Sequence, residues 1–148
     1  CGLPILTKLT PNVTDITGVA SAASTAGADA ICLINTLLGM AIDWRKQKPL
    51  LGNVMGGLSG PAIKPIALRA VFQVAQVVET PLVGIGGIGS LDDAMEFFVA
   101  GASAVQIGTA NYYDPTVSMK IVNQLPSALR EAGLDRVSDL VGTCQRST

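Results

Sequence analysis

Apolar residues fall along this chain in four short runs with little polar alternation: Ile5 to Leu9, Ala30 to Ile34, Pro81 to Ile85 and Ala104 to Ile107. Runs of this kind suit strands buried on both faces, as in a parallel sheet. The stretches between them open on helix caps. Thr14 or Asp15 caps a helix to about Ala26, an Ala/Ser-rich segment whose small faces suit close packing on a sheet. Pro61 begins a second helix, to about Val78, because proline is tolerated where the first N–H groups lack an intrahelical partner. Ser90 caps a third over Leu91 to Val99, with Asp92 and Asp93 near its positive end. Asp114-Pro115 opens a fourth, to about Ala132, and Val137 to Val141 adds a short last one.

Two of the helix-to-strand joints are near copies. Residues 26–35 read AGADAICLIN and residues 100–109 read AGASAVQIGT. In each, a glycine follows a helix, where it accepts the left-handed conformation that a side chain resists. A buried strand then ends at a polar residue or glycine. Both strands therefore stop where ligands tend to meet α/β folds.

Strand and helix alternate four times, which implies right-handed parallel crossovers and an α/β fold. Four such units make half of a (β/α)8 TIM barrel. A flavodoxin-like open sheet competes, but the insertion at residues 37–60 and the glycine-terminated strands favour the barrel. That insertion shows no sustained period. Within it, Met40 to Leu51 suits a hairpin around Arg45-Lys46-Gln47-Lys48, with Trp44 at a solvated tip. No linker or second domain interrupts residues 1–148.

Composition narrows the chemistry. The 148 residues are 49% hydrophobic and only 14% charged, which suits a chain that either buries many strands or hides a face against something else. No apolar run reaches the roughly 18 residues a membrane span needs, and no signal-peptide pattern opens the chain. A net charge of −1 gives no reason to expect nucleic acid. Cys1, Cys32 and Cys144 lack metal-ligand spacing, and Cys32 reads as a small buried hydrophobe in a strand. No metal site is expected, and a reducing, cytoplasmic setting fits. The absence of histidine removes Ser-His and Cys-His catalysis.

What remains is at the strand ends. Gly86-Gly87-Ile88 and Gly108-Thr109 end adjacent strands, where barrels often hold phosphate. Glycine lets backbone N–H groups approach phosphate oxygens, although each motif alone also suits a plain turn. Lys8 lies in an apolar strand, where its charge needs a partner unless it snorkels past the end. Asn35-Thr36 ends the second strand either as hydrogen-bonding groups or as an Asx turn. Gly57-Leu58-Ser59-Gly60 suits a turn or a second backbone cradle.

Taken together, these motifs resemble dihydroorotate dehydrogenase of the class that works with an NAD-linked iron–sulfur flavoprotein subunit. The resemblance rests on Lys8 to Ile16 (KLTPNVTDI), Ile34-Asn35-Thr36, Gly56 to Pro65 (GGLSGPAIKP), Gly86-Gly87-Ile88 and Gly108 to Asn111 (GTAN), in order over nearly the whole chain. It implies the C-terminal half of that enzyme's barrel. The implied ligand is FMN, used to oxidise dihydroorotate to orotate in pyrimidine biosynthesis. FAD and a 2Fe-2S cluster belong, by the same resemblance, to an electron-transfer partner subunit, and the catalytic subunit forms a homodimer.

The resemblance assigns roles by position. Lys8 matches the lysine that contacts the flavin ring, and Ile34 and Gly60 match positions lining the flavin. Gly86, Gly87, Gly108 and Thr109 match contacts on the FMN phosphate side. Asn35 and Thr36 match the pair that hydrogen-bonds the pyrimidine. A site of amide and hydroxyl groups suits a planar ring with alternating carbonyls and N–H groups.

The sequence also departs from the family. Its cysteine base lies upstream of the lysine strand, and Cys1, seven residues before Lys8, is not assigned that role. No catalytic residue is therefore expected in this segment, which should not turn over alone. Thr10 stands where serine is usual and Tyr112 where phenylalanine is common. Two other readings stay open: the FMN domain of a dihydropyrimidine dehydrogenase, which shares the Lys-Leu-Thr-Pro-Asn run, and a non-catalytic half-barrel that binds a phosphate ligand or dimerises. Leu58 and the Gly-Pro-Ala-Ile-Lys-Pro run favour the orotate enzyme over the first.

Overall fold

The computed structural model describes residues 2–144, so Cys1 lies outside the described residues. The chain runs β1 (Leu6–Leu9), α1 (Ile16–Thr25), β2 (Ala30–Leu33), β3 (Leu37–Met40), β4 (Ile42–Asp43), β5 (Lys48–Pro49) and β6 (Met55–Leu58). A 3-10 turn (Pro61–Ile63) then leads into α2 (Lys64–Val74), β7 (Leu82–Ile85), α3 (Leu91–Ala100) and β8 (Ala104–Gln106). Helices α4 (Ala110–Tyr113) and α5 (Val117–Glu131) and a 3-10 turn at Val137–Asp139 complete it.

The main sheet has the order β1-β2-β7-β8, and all three pairings are parallel. Each strand lies beside its predecessor in that sheet, with no reversal of direction. A doubly wound sheet reverses at a switch point, so the flavodoxin-like alternative is excluded. Helices α1, α2 and α3 all pack on one face. Between them and the sheet lies the core: Ile31, Leu33, Val71, Val74 and Phe97 are fully buried. At Gly84 any side chain would run into the Phe97 ring, so glycine sets how closely α3 approaches the sheet.

The opposite face is open. Register places Lys8 beside Cys32, Cys32 beside Val83 and Ile85 beside Gln106 on that face. Leu6, Lys8, Ala104 and Gln106 are exposed there. Strands in chain order, helices on one side and an open inner face are the arrangement of half a (β/α)8 barrel. The high apolar content has its explanation in this face and in the projecting hairpin.

The two copied joints form as expected. Gly27 and Gly101 follow α1 and α3 at φ of +91° and +124°, and β2 and β8 start three residues later. Asp15, rather than Thr14, caps α1, accepting from the Thr17 N–H at 2.9 Å. The Thr17 hydroxyl on the same oxygen is the main reason that this carboxyl titrates below its usual range. Ser90 caps α3 by accepting from Asp93 N–H at 3.2 Å.

Three expectations need correction. The helix from Pro61 begins as a 3-10 turn and ends at Val74, four residues early, because residues 75–77 turn toward β7. The segment 37–60 is more ordered than its composition suggests: β4 pairs β5 around the tip, and outside them β3 pairs β6 in antiparallel register. At the tip the Arg45 guanidinium stacks 4.5 Å from the Trp44 ring centroid. Asp114 starts no helix; it closes a turn in which its carboxylate accepts from Thr116 N–H at 2.9 Å, and α5 begins at Val117.

Candidate functional site

A cleft of about 480 Å³ opens at the carboxyl ends of the four parallel strands. Such a volume lies within the range of small-molecule sites. Lys8, Ile34, Asn35, Thr36, Gly60, Gly86, Gly87, Gly108 and Thr109 all line it. Residues separated by a hundred positions are gathered because every main-sheet strand ends at the same rim.

Leu9 is buried on the helix side of β1, and alternation places its neighbour Lys8 on the open face. Lys8 has no ion-pair partner among the described residues. Its charge acts on Cys32, its partner in register: burial pushes that thiol up, and Lys8 works against the shift. Cys32 is only 4% exposed although it lies on the open face, so its neighbours shelter the thiol.

β2 ends locked to both neighbours. Ile34 N–H donates to the Ile85 carbonyl at 2.9 Å, and Asn35 N–H donates to the Leu9 carbonyl at 2.8 Å. The Asn35 Oδ1 accepts from Thr36 N–H at 2.9 Å, so one half of that amide serves a local turn. Its Nδ2 has no protein acceptor among the described residues. Asn12 frames the pair from β1's side: Nδ2 donates to the Thr36 carbonyl at 3.1 Å, and Oδ1 accepts from Leu38 N–H at 2.9 Å. Gly57 leaves room for the Thr36 side chain, which any Cβ at that position would strike.

At the other end of the rim the backbone is exposed to the cleft. Gly86 and Gly87 have φ of +138° and +73°. A Cβ on Gly87 would lie 2.8 Å from Lys64 Cβ and 2.9 Å from the Gly60 carbonyl oxygen, so only glycine fits between these elements. The N–H groups of Gly87 and Thr109 have no protein acceptor among the described residues. Thr109 Oγ1 donates to Ser59 Oγ at 2.8 Å, tying the β8 loop to the hairpin's return strand. Asn111 Nδ2 donates to the Ile107 and Gly108 carbonyls at 2.7 and 3.2 Å, which fixes the turn carrying Thr109.

Ser59, Tyr112, Tyr113 and Asp114 are among the lining residues that carried no assignment from sequence. Ser59 lay within a recognised glycine motif, which was its only signal. Tyr112 and Tyr113 stand nearly fully exposed at the rim. Asp114 is held by Lys120, 2.6 Å from its Oδ2, and by Thr116; these bonds bring its carboxyl down to about 2.

Glycine loops at the carboxyl ends of parallel β/α strands, with a lysine elsewhere on the same rim, are the arrangement of a barrel site built on strand-end loops. The chain belongs to the dihydroorotate dehydrogenase family, whose sequence model matches residues 2–129. It is 57% identical over 142 residues to the catalytic subunit of dihydroorotate dehydrogenase B (NAD(+)) of Pelobacter propionicus, covering 96% of this chain and 47% of that protein. The subunit of the same name from Desulforamulus reducens is 55% identical over 140 residues, 95% of this chain and 46% of that one. That of Halalkalibacterium halodurans is 51% identical over 140 residues, with the same coverage. The chain thus spans about half the length of these relatives.

Proposed function

We propose that this chain forms the C-terminal half of a single FMN-binding barrel that oxidises dihydroorotate to orotate, with electrons passing onward to NAD through a partner subunit. The observation that supports it best is the gathering in one cleft of all nine residues assigned from the sequence, with glycine loops at one end and an unpaired lysine at the other. β1 and β8 are the two edges of the sheet, three strand spacings apart. Lys8 and Thr109 therefore stand at opposite ends of the rim, which suits an elongated ligand with unlike ends.

FMN fits this set of residues. Its phosphate suits the unpaired N–H groups of Gly87 and Thr109; the absence of a Cβ at Gly87 lets that loop pack closely on Gly60 and Lys64. FMN supplies the hydride acceptor when bound. Lys8 places a cation in the cleft, where it favours negative charge on a ring beside it. Ile34 and Gly60 give the ring apolar and close backbone contact. Asn35 Nδ2 and the Thr36 hydroxyl are then available to a planar pyrimidine, and Asn12 holds Thr36 in register.

By resemblance, the proton acceptor belongs to the other half of the barrel, which also covers the open face bearing Leu6, Lys8 and Gln106. The relatives are named catalytic subunits, which supports a partner subunit; by resemblance alone, we assign FAD and a 2Fe-2S cluster to that partner. No helix among the described residues is long and apolar enough to cross a membrane; the cytoplasm is our reading from cysteine usage alone.

The test is an FMN titration, read by flavin fluorescence, of this chain beside a version extended to a complete barrel. Binding by the complete barrel is expected. Failure of both to bind FMN would remove the main support for the reading.

A further inference from the structure

We propose that Asp93 is a positioning residue for the phosphate end of the cleft, acting through the Gly86–Gly89 loop and the first residue of α2. This inference rests on the FMN reading above. Asp93 divides its two carboxylate oxygens between two elements. Oδ2 accepts from Gly89 N–H at 3.0 Å and from the Ser90 hydroxyl at 2.8 Å, which fixes the far end of the loop. Oδ1 takes Lys64 Nζ at 2.6 Å, and Lys64 also meets Glu96 at 3.0 Å. Lys64 begins α2, and its Cβ and N, with the Gly60 carbonyl, form the surface against which Gly87 packs without room for a Cβ. The loop is therefore held on α2 from both sides: Gly87 by close packing and Gly89 through Asp93.

Two consequences follow. The spread of the N–H groups along the loop is set by Asp93, although nothing requires that carboxylate to touch a ligand. Lys64, whose charge is met by two carboxylates, serves the clamp rather than the phosphate. Phosphate recognition on this loop falls to neutral N–H groups at a spacing the clamp imposes.

The experiment compares FMN with riboflavin, which has the same ring without the phosphate, in the complete barrel. Asp93→Asn removes the charge from the clamp while keeping the shape of the side chain. The loss expected is about tenfold in FMN affinity, the worth of one charge-assisted hydrogen bond, with riboflavin affinity unchanged. Lys64→Met, which spares the bonds to Gly89 and Ser90, should act in the same direction. The double variant should lose little more than either alone, because one clamp is being broken. Unchanged FMN affinity in both variants would overturn the proposal, as would equal weakening of both flavins. If Asp93→Asn does not fold, Lys64→Met decides by the same comparison. If the unmutated barrel binds neither flavin, the FMN reading itself falls, and this inference with it.

Discussion

The side chain of Asn12 bridges to the backbone of Thr36 across 24 residues of sequence, donating through Nδ2 to the Thr36 carbonyl at 3.1 Å while its Oδ1 takes Leu38 N–H at 2.9 Å. One amide thus joins the loop after β1 to the point where the chain leaves β2 and enters the hairpin. Asn12→Ala leaves two backbone groups without this partner at a partly exposed position. We expect a loss of about 1 kcal/mol of stability, read as a lowered Tm, together with a raised KM for dihydroorotate in the complete barrel. An unchanged KM would show that Asn12 does not hold Thr36 for the substrate.

Lys8 and Asn35 line the same cleft, but their substitutions should be separable. Lys8→Ala removes the cation assigned to the flavin ring, so it should weaken flavin binding or slow flavin reduction. Asn35→Ala should raise the substrate requirement by roughly 1–3 kcal/mol while the flavin stays bound. The check is the flavin content of each purified variant beside its KM. An Asn35→Ala protein that loses its flavin with substrate affinity intact would reverse the assignment.

Gly87 has two independent reasons to remain glycine: a φ of +73° and the absence of space beside Lys64 and Gly60. Gly87→Ala should cost on the order of 1–3 kcal/mol in strain. It should also reduce FMN affinity more than riboflavin affinity, because the displaced N–H lies at the phosphate end. Direct titration with both flavins tests this.

Much of this cleft was legible in the sequence because most of its residues sit at or beside strand ends, and strand ends are marked by local events. Gly86-Gly87 and Gly108-Thr109 terminate apolar runs, Asn35-Thr36 terminates another, and Lys8 interrupts one. The copied joints at Gly27 and Gly101 marked the equivalence of β2 and β8 in the same way. The hairpin was less legible. Its outer strands, β3 and β6, carry Gly39, Gly56 and Gly57, which break the alternation that would announce a strand, and its inner strands have two residues each. The bonds that hold the rim in shape left no local signal either: Ser59 meets Thr109 across 50 residues, and Lys64 meets Asp93 across 29.

The Lys64–Asp93 pair gives stability a pH dependence with a definite sign. Burial acts to raise the Asp93 carboxyl, but its hydrogen bonds to Lys64, Gly89 and Ser90 outweigh that and leave it below its ordinary value of 3.8. A depressed carboxylate contributes stability above its unfolded value and loses it as pH falls through the folded one. Lys64, raised above 10.5 mainly by Asp93 and then Glu96, contributes below that value and loses its share as pH rises through the folded one. The pair thus supports the fold between these limits. Thermal melts of the unmutated and Asp93→Asn proteins should differ at neutral pH and converge below about pH 4. A constant difference down to pH 2 would show that the charge on Asp93 contributes nothing.

The central claim is that this cleft brings dihydroorotate to a bound flavin. The most direct test is to mix dihydroorotate anaerobically with the FMN-loaded complete barrel and follow the visible flavin absorbance. The absorbance should bleach as orotate forms, and Asn35→Ala should require more substrate for the same effect. A loaded barrel that binds dihydroorotate or FMN but never bleaches would contradict it.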